Sequence, residues 1–207
     1  SPQTNNRVGV SSMNNLRFYI DKEQDICQEI MAWSDHTLQK PNSFYNNLPP
    51  CPYAQKAWQE NKVIILFKYD NDFQTLYSTI SQWDPNFELV IIVDMAFNKD
   101  PDDFHEYLDK LNLCISQGIF IDEDIWLMGF HPHDEPNDFI DDSSFMHTVE
   151  EEYAMIFVQR LSQVQESADK LLKKGYYDKY LEEYNAQDIF ERRQTLYRRL
   201  KNGNETS

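Results

Sequence analysis

His131-Pro132-His133-Asp134-Glu135 is the most unusual segment of the chain, with two imidazoles and two carboxylates within five residues. If the backbone is extended there and both rings face one side, His131 and His133 can bind a divalent metal such as iron or zinc. His147 falls early in the next predicted helix and can return a third nitrogen. Glu150 or Glu151, about a turn later, can add a carboxylate. The competing reading is a solvated acidic loop that carries histidines, since no established ligand spacing such as HExxH is present. Cys51, in Leu48-Pro49-Pro50-Cys51-Pro52-Tyr53-Ala54, is the second reactive candidate. If Pro52 opens a helix, the thiol stands at its N-cap, where free N–H groups and the helix dipole favour a thiolate. Such a thiolate could be a nucleophile, a metal ligand or a redox centre. Equally, Cys51 can be a small buried hydrophobe between prolines. Cys27 and Cys114 fall within helical apolar patterns and read as core residues, while His105 reads as a solvent-facing member of an acidic helix.

The elements that must carry these residues have a clear rhythm. Val63–Phe67, Leu89–Val93 and Ile125–Phe130 are apolar runs of strand length bounded by turn residues or charges. Helical patterns separate them, at Asp72–Trp83 and Pro101–Gln117. The second opens with Asp100-Pro101-Asp102-Asp103, an N-cap followed by proline and acids in the first turn. A further helix spans Asp21 to about Gln39, and a short one follows Cys51. Alternating strands and helices predict an α/β fold with a small, at least partly parallel sheet of three or more strands, flanked by helices. Residues 131–144 read as a loop placed beyond a strand end, where α/β sheets bind ligands. From Phe145 the pattern is helical nearly to Lys201, with a break at Gly175. The predicted organisation is an α/β domain over 13–174 and a helical C-terminal extension over 175–207. Residues 1–12 read as a disordered or non-native leader, with Met13 as the natural start.

Composition narrows the function classes. The 207 residues suffice for one sizeable core, since domains of this length bury roughly 70% of their unfolded surface. A net charge of −16 disfavours general nucleic-acid binding and anionic membranes. The local exception is Arg192, Arg193, Arg198, Arg199 and Lys201, cations placed where a helix C-terminus attracts them. Three widely spaced cysteines without a CxxC pair fit reduced thiols in a cytoplasmic compartment. With five glycines there is no phosphate-cradling loop, and no GxSxG elbow is present. Nucleotide-binding and α/β-hydrolase readings therefore fall away.

Three motifs in order carry a resemblance. Cys51-Pro52-Tyr53-Ala54, Phe130-His131-Pro132 and Phe145-Met146-His147, the last followed by Glu150-Glu151-Glu152, resemble the Cys-Pro-Phe-Ala, Phe-His-Pro and Met-Leu-His motifs of an uncharacterised bacterial family. Asp102–Leu108 is similar to an acidic-aromatic segment of that family, and the likeness covers about residues 48–155. Tyr53 replaces phenylalanine, and His133 and the tail lie outside the pattern. The resemblance implies no activity, because the family has none assigned. It favours Cys51, His131 and His147 over His133 as site residues. In the metal-dependent version these three are ligands, and the reading of the residues adds His133 and Glu151 as further ligand candidates. The sequence thus points to an enzyme of unassigned reaction acting on a small molecule or peptide through a Cys/His site that holds iron or zinc in its metal-dependent version. The alternative is a non-catalytic acidic adaptor that binds a protein partner through Tyr176, Tyr177, Tyr180, Tyr184 and Tyr197 of the tail.

Overall fold

Runs of β-branched residues that can be covered on both faces dictate the centre of this molecule. A computed structural model describes residues 13–118, 124–136, 140, 142–179 and 187–202; the 1–12 leader, Tyr180 and Tyr184 lie outside them. β1 (Val63–Lys68), β2 (Leu89–Asp94) and β3 (Trp126–Phe130) form where the apolar runs predict. A fourth strand, β4 (Ala154–Gln159), lies inside the stretch expected to be one helix from Phe145 to Lys174. Sheet order is β1-β2-β4-β3, with β1 and β2 parallel and β4 antiparallel to both neighbours. The protein is an α/β fold on a mixed sheet. The mistaken helix has a physical cause: a short fully apolar run such as Ala-Met-Ile-Phe-Val has no period that separates a doubly buried strand from a helix.

Strand alternation sorts the core into two faces. Ile64, Leu66, Val90, Ile92, Leu127, Ile156 and Val158 point one way. They pack against α3 (Gln74–Ser81) and α4 (Pro101–Ser116) through Leu76, Ile80, Phe104, Leu108 and Ile115. Ile65, Ile91, Val93, Met155 and Phe157 point the other way, against Ile26, Ile30 and Trp33 of α1 (Met13–Trp33). The helix α1 runs on into a single π turn, Ser34–Leu38. Trp58 of α2 (Ala54–Gln59) completes this second face. The cap of α4 is as its sequence predicts, with Asp100 accepting from the N–H groups of Asp102 and Asp103. Asn112 of α4 brackets the outer side of edge strand β3, donating to the Leu127 carbonyl at 3.0 Å and accepting its N–H at 2.8 Å. It occupies backbone groups that an open edge would leave to other chains.

The tail is bound to the domain by its aromatic residues. α5 (Leu161–Lys173) ends near Gly175, where a break is expected, and the glycine's φ of 75° supplies a left-handed turn. Tyr176 is buried, stacks on Tyr45 at 4.5 Å and donates its hydroxyl to the Pro50 carbonyl. Tyr197 of α6 (Gln187–Asn202) is buried with Trp126 and Leu161. These two tyrosines fasten the tail rather than offer a free surface. Among the described residues, no helix is long and apolar enough to cross a membrane.

Gly129 of β3 lies close against α4. A Cβ there would run into the side chains of Leu108 and Phe104. Gly129→Ala is expected to lower unfolding free energy by about 1–3 kcal/mol, the usual cost of overpacking. Urea denaturation measures it; an unchanged midpoint would mean that α4 yields at no cost.

Candidate functional site

Because β3 runs in the direction of β1 and β2, the carboxyl ends of all three strands share one edge with the start of β4. Polar side chains that the strands cannot bury in their middles collect there. The site is built from this edge outward, and it includes groups whose importance no local spacing announced.

His131 follows β3 directly and is only 6% exposed. Its Nε2 donates to the Asn98 carbonyl at 2.6 Å, and the His133 N–H donates to its Nδ1 at 3.0 Å. A carbonyl only accepts and a backbone N–H only donates, so the ring is the neutral Nε2–H tautomer. Phe97 and Phe104 stand against it at 5.2 and 5.4 Å. With both nitrogens engaged, His131 joins the loop after β2 to the loop after β3.

Two histidine–carboxylate pairs flank this buried ring. Asp134 accepts the His131 N–H on one oxygen and His105 Nε2 at 2.7 Å on the other. Burial alone would raise the Asp134 pKa, but these donors outweigh it and hold the carboxyl below its ordinary range. The same hydrogen bond, working against burial, raises the His105 imidazole. His133 Nε2 lies 2.9 Å from Glu152 Oε2, with both side chains about half exposed. Among the described residues, Nδ1 of His105 and Nδ1 of His133 make no hydrogen bond within the protein, so each can carry a lone pair toward solvent.

Further along the same face, Lys68 and Asp94 end β1 and β2 side by side. Both are buried, with Lys68 Nζ 3.5 Å from Asp94 Oδ1, 3.4 Å from Asp70 Oδ1 and 2.6 Å from the Asp70 carbonyl. Burial raises the Asp94 carboxyl and Lys68 opposes the rise. Tyr107 of α4 stands near these acids; burial and then their charge push its phenol up to about 12. The polar ends of two otherwise apolar strands were the available sequence signal for Lys68 and Asp94.

The remaining sequence candidates lie on the α1 side. His147 sits in an irregular connection, not in the helix expected of it. It is mostly exposed, with Nδ1 3.5 Å from Glu29 Oε1. Glu29, in the buried stripe of α1, accepts the N–H groups of Thr148 and Val149 and the Tyr153 hydroxyl. Burial would raise its carboxyl, and these donors hold it low instead. Glu151 pairs with Lys22 at 3.1 Å. Cys51 is not at a helix N-cap, because α2 begins at Ala54; the thiol lies in a turn closed by the Ala54 N–H and the Cys51 carbonyl. Proline is compatible with a turn as well as with a first helical residue, so Pro52 could not distinguish them. Burial pushes the Cys51 thiol up, outweighing the N–H groups of Tyr53 and Ala54, so at neutral pH it is protonated. Cys27 packs on the same cluster with its thiol raised to about 11, burial again being the main cause.

Cys51 therefore belongs to the α1 face, while His131 packs with Phe97 and Phe104 on the α4 face. Among the described residues, no hydrogen bond, ion pair or ring contact joins Cys51 to His131 or His147. His131 and His133 do meet, with rings 5.6 Å apart. Among the described residues, no group of three or more His, Cys, Asp or Glu side chains is arranged to hold a metal ion. No family model, no curated protein and no solved structure matches this chain. The likeness to the uncharacterised bacterial family thus rests on the ordered motifs alone.

Two outcomes follow from the charge pairs. Lys68→Met leaves Asp94 buried without its cation and is expected to cost about 3–5 kcal/mol in denaturant unfolding; a loss below 1 kcal/mol would mean that Asp94 simply takes up a proton. The lowered Asp134 contributes stability that disappears as pH falls through its folded pKa. The raised His105 contributes stability that disappears as pH rises through its own. Their joint contribution is full between roughly pH 4 and pH 6.5. His105→Gln should lower stability across that window and remove the pair's fall-off above about pH 6.5 and below about pH 4, and an unaltered curve would remove the pair from the account.

Proposed function

We propose that this chain is an enzyme that works by general acid–base catalysis at the carboxyl edge of its sheet, on a small-molecule or peptide substrate. One observation carries the reading: the His133–Glu152 and His105–Asp134 pairs flank a buried His131 that locks both loops in register. A carboxylate that accepts one ring N–H orients an imidazole and leaves its second nitrogen basic, which is the arrangement a proton acceptor requires. His133, the more exposed of the two, is assigned as the base that activates water or a substrate hydroxyl. His105, raised by Asp134, is assigned as the proton donor. His131 is a positioning residue. The position beyond the carboxyl strand ends is where α/β sheets place ligands.

This reading moves the centre of chemistry from Cys51 and His147 to residues 105, 131–134 and 152. It requires neither a thiolate nor a metal. The iron or zinc version would have to draw His131 away from Asn98 and gather Cys51 and His147 from the other face. The chemistry is tested by hydrolysis of a panel of activated esters and fluorogenic peptides by the purified protein. His133→Gln and His105→Gln should each lower kcat/KM by about 10²–10⁴, the range for a lost acid–base group, without lowering the melting temperature in step. Turnover that is indifferent to both substitutions, or absent on every substrate, would end the proposal.

A further inference from the structure

A groove of about 690 Å³ lies on the α1 side of the sheet, opposite α4. One wall is α1, where Asp21, Asp25, Glu29 and Ala32 recur at i, i+4, i+8 and i+11 and so share a face. At 1.5 Å per residue that wall is about 17 Å long. The other wall is the connection from Phe145 to Glu151, which Glu29 pins to α1 through the N–H groups of Thr148 and Val149.

Two properties of this groove are unusual together. Its rim is acidic: Asp21, Asp25, Glu150 and Glu151 line it, and among the described residues its one lining cation, Lys22, is already paired with Glu151. It also displays an apolar side chain without cover, Met146, at 82% exposure. Met31 on α1 is exposed as well, at 51%. A flexible thioether is the side chain that adaptable binding surfaces use to meet apolar anchors. Acids around an apolar floor select against acidic partners and draw basic ones.

We infer that this groove docks a basic amphipathic helix of another protein. Its Lys and Arg side chains would meet Asp21, Asp25 and Glu150, and its apolar face would cover Met146. A helix laid in a groove by its apolar stripe is a recurrent mode of recognition, and about three turns match the length of the α1 wall. A second copy of this chain is a poorer occupant. Its basic segment is α6, but Leu196 and Tyr197 of that helix already pack inward on Trp126 and Leu161. Among its described residues, the surface that α6 leaves outside carries the cations Arg198, Arg199 and Lys201. The docking inference does not rest on the catalytic reading, so His133→Gln should bind such a helix as the unaltered protein does.

The test uses the full chain and a fluorescent 14-residue helical peptide of Leu and Lys, with a Leu/Glu peptide and a Gln/Lys peptide as controls. Fluorescence anisotropy should show micromolar binding of the Leu/Lys peptide and about tenfold or weaker binding of either control, a change of roughly 1.4 kcal/mol. Asp25→Lys with Glu150→Lys, and separately Met146→Glu, should each weaken binding at least about tenfold; all three positions are exposed, so the fold is retained, as a thermal melt would verify. Equal binding of the Leu/Glu peptide would overturn the proposal, as would binding undiminished in both variants, or no binding at all. Sedimentation supplies the remaining outcome. A dimer of the unaltered chain that Met146→Glu converts to monomer would give the groove to a second copy instead.

Discussion

The architecture depends on β4 standing between β2 and β3. Ala154, Ile156 and Val158 fill one face of the sheet while Met155 and Phe157 fill the other, so the strand is enclosed on both sides and along both edges. Nothing polar can be tolerated at those positions without a partner. The consequence is geometric. With β4 antiparallel to its neighbours, β3 is aligned with β1 and β2, and three carboxyl ends are brought to one edge. Polar groups excluded from the interior accumulate there, and each must find a partner at the rim.

The side chains at that rim differ in how fully their partners occupy them. Lys68 has its donors directed at Asp94, Asp70 and a carbonyl, and His131 has both nitrogens in use. These groups fix the loops and have little capacity left for a ligand. His105 and His133 use one nitrogen each within the protein. The rigid members are thus buried and the open valences lie outside, which is what the proposed acid–base pair rests on. The same economy applies on the α1 side, where the carboxylate of Glu29 is consumed in pinning residues 148–149 and so shapes the acidic groove it lines.

The two faces divide the molecule by chemistry. The α4 face carries the histidine–carboxylate pairs and the buried Lys68–Asp94 pair. The α1 face carries the groove, the raised thiols of Cys27 and Cys51, and the connection bearing His147. Glu150 and Glu151 line the groove and the next residue, Glu152, holds His133, so both features border a single turn of chain. The tail adds support rather than reactivity, since Tyr176 and Tyr197 are spent on packing.

Local physics made much of this legible from residue order. Val63–Phe67, Leu89–Val93 and Ile125–Phe130 read as strands from their apolar runs of strand length and their bounding residues, and Asp100-Pro101-Asp102-Asp103 reads as a helix start, because side-chain branching and capping act within a few residues. The fold class followed, and the 131–135 segment stood out as a polar stretch beyond a strand end. The strand at Ala154–Gln159 did not, since a doubly buried run has no periodicity until its neighbours are known. Nor did the pairing of His105 with Asp134, 29 residues on, or of Glu29 with Thr148, 119 residues on. Sequence fixes what each residue can donate, accept or bury; which partner satisfies it is a property of chain crossings. That is why His131 was visible as a candidate from composition and spacing, while its two hydrogen bonds, and with them its role, were decided only by the tertiary fold.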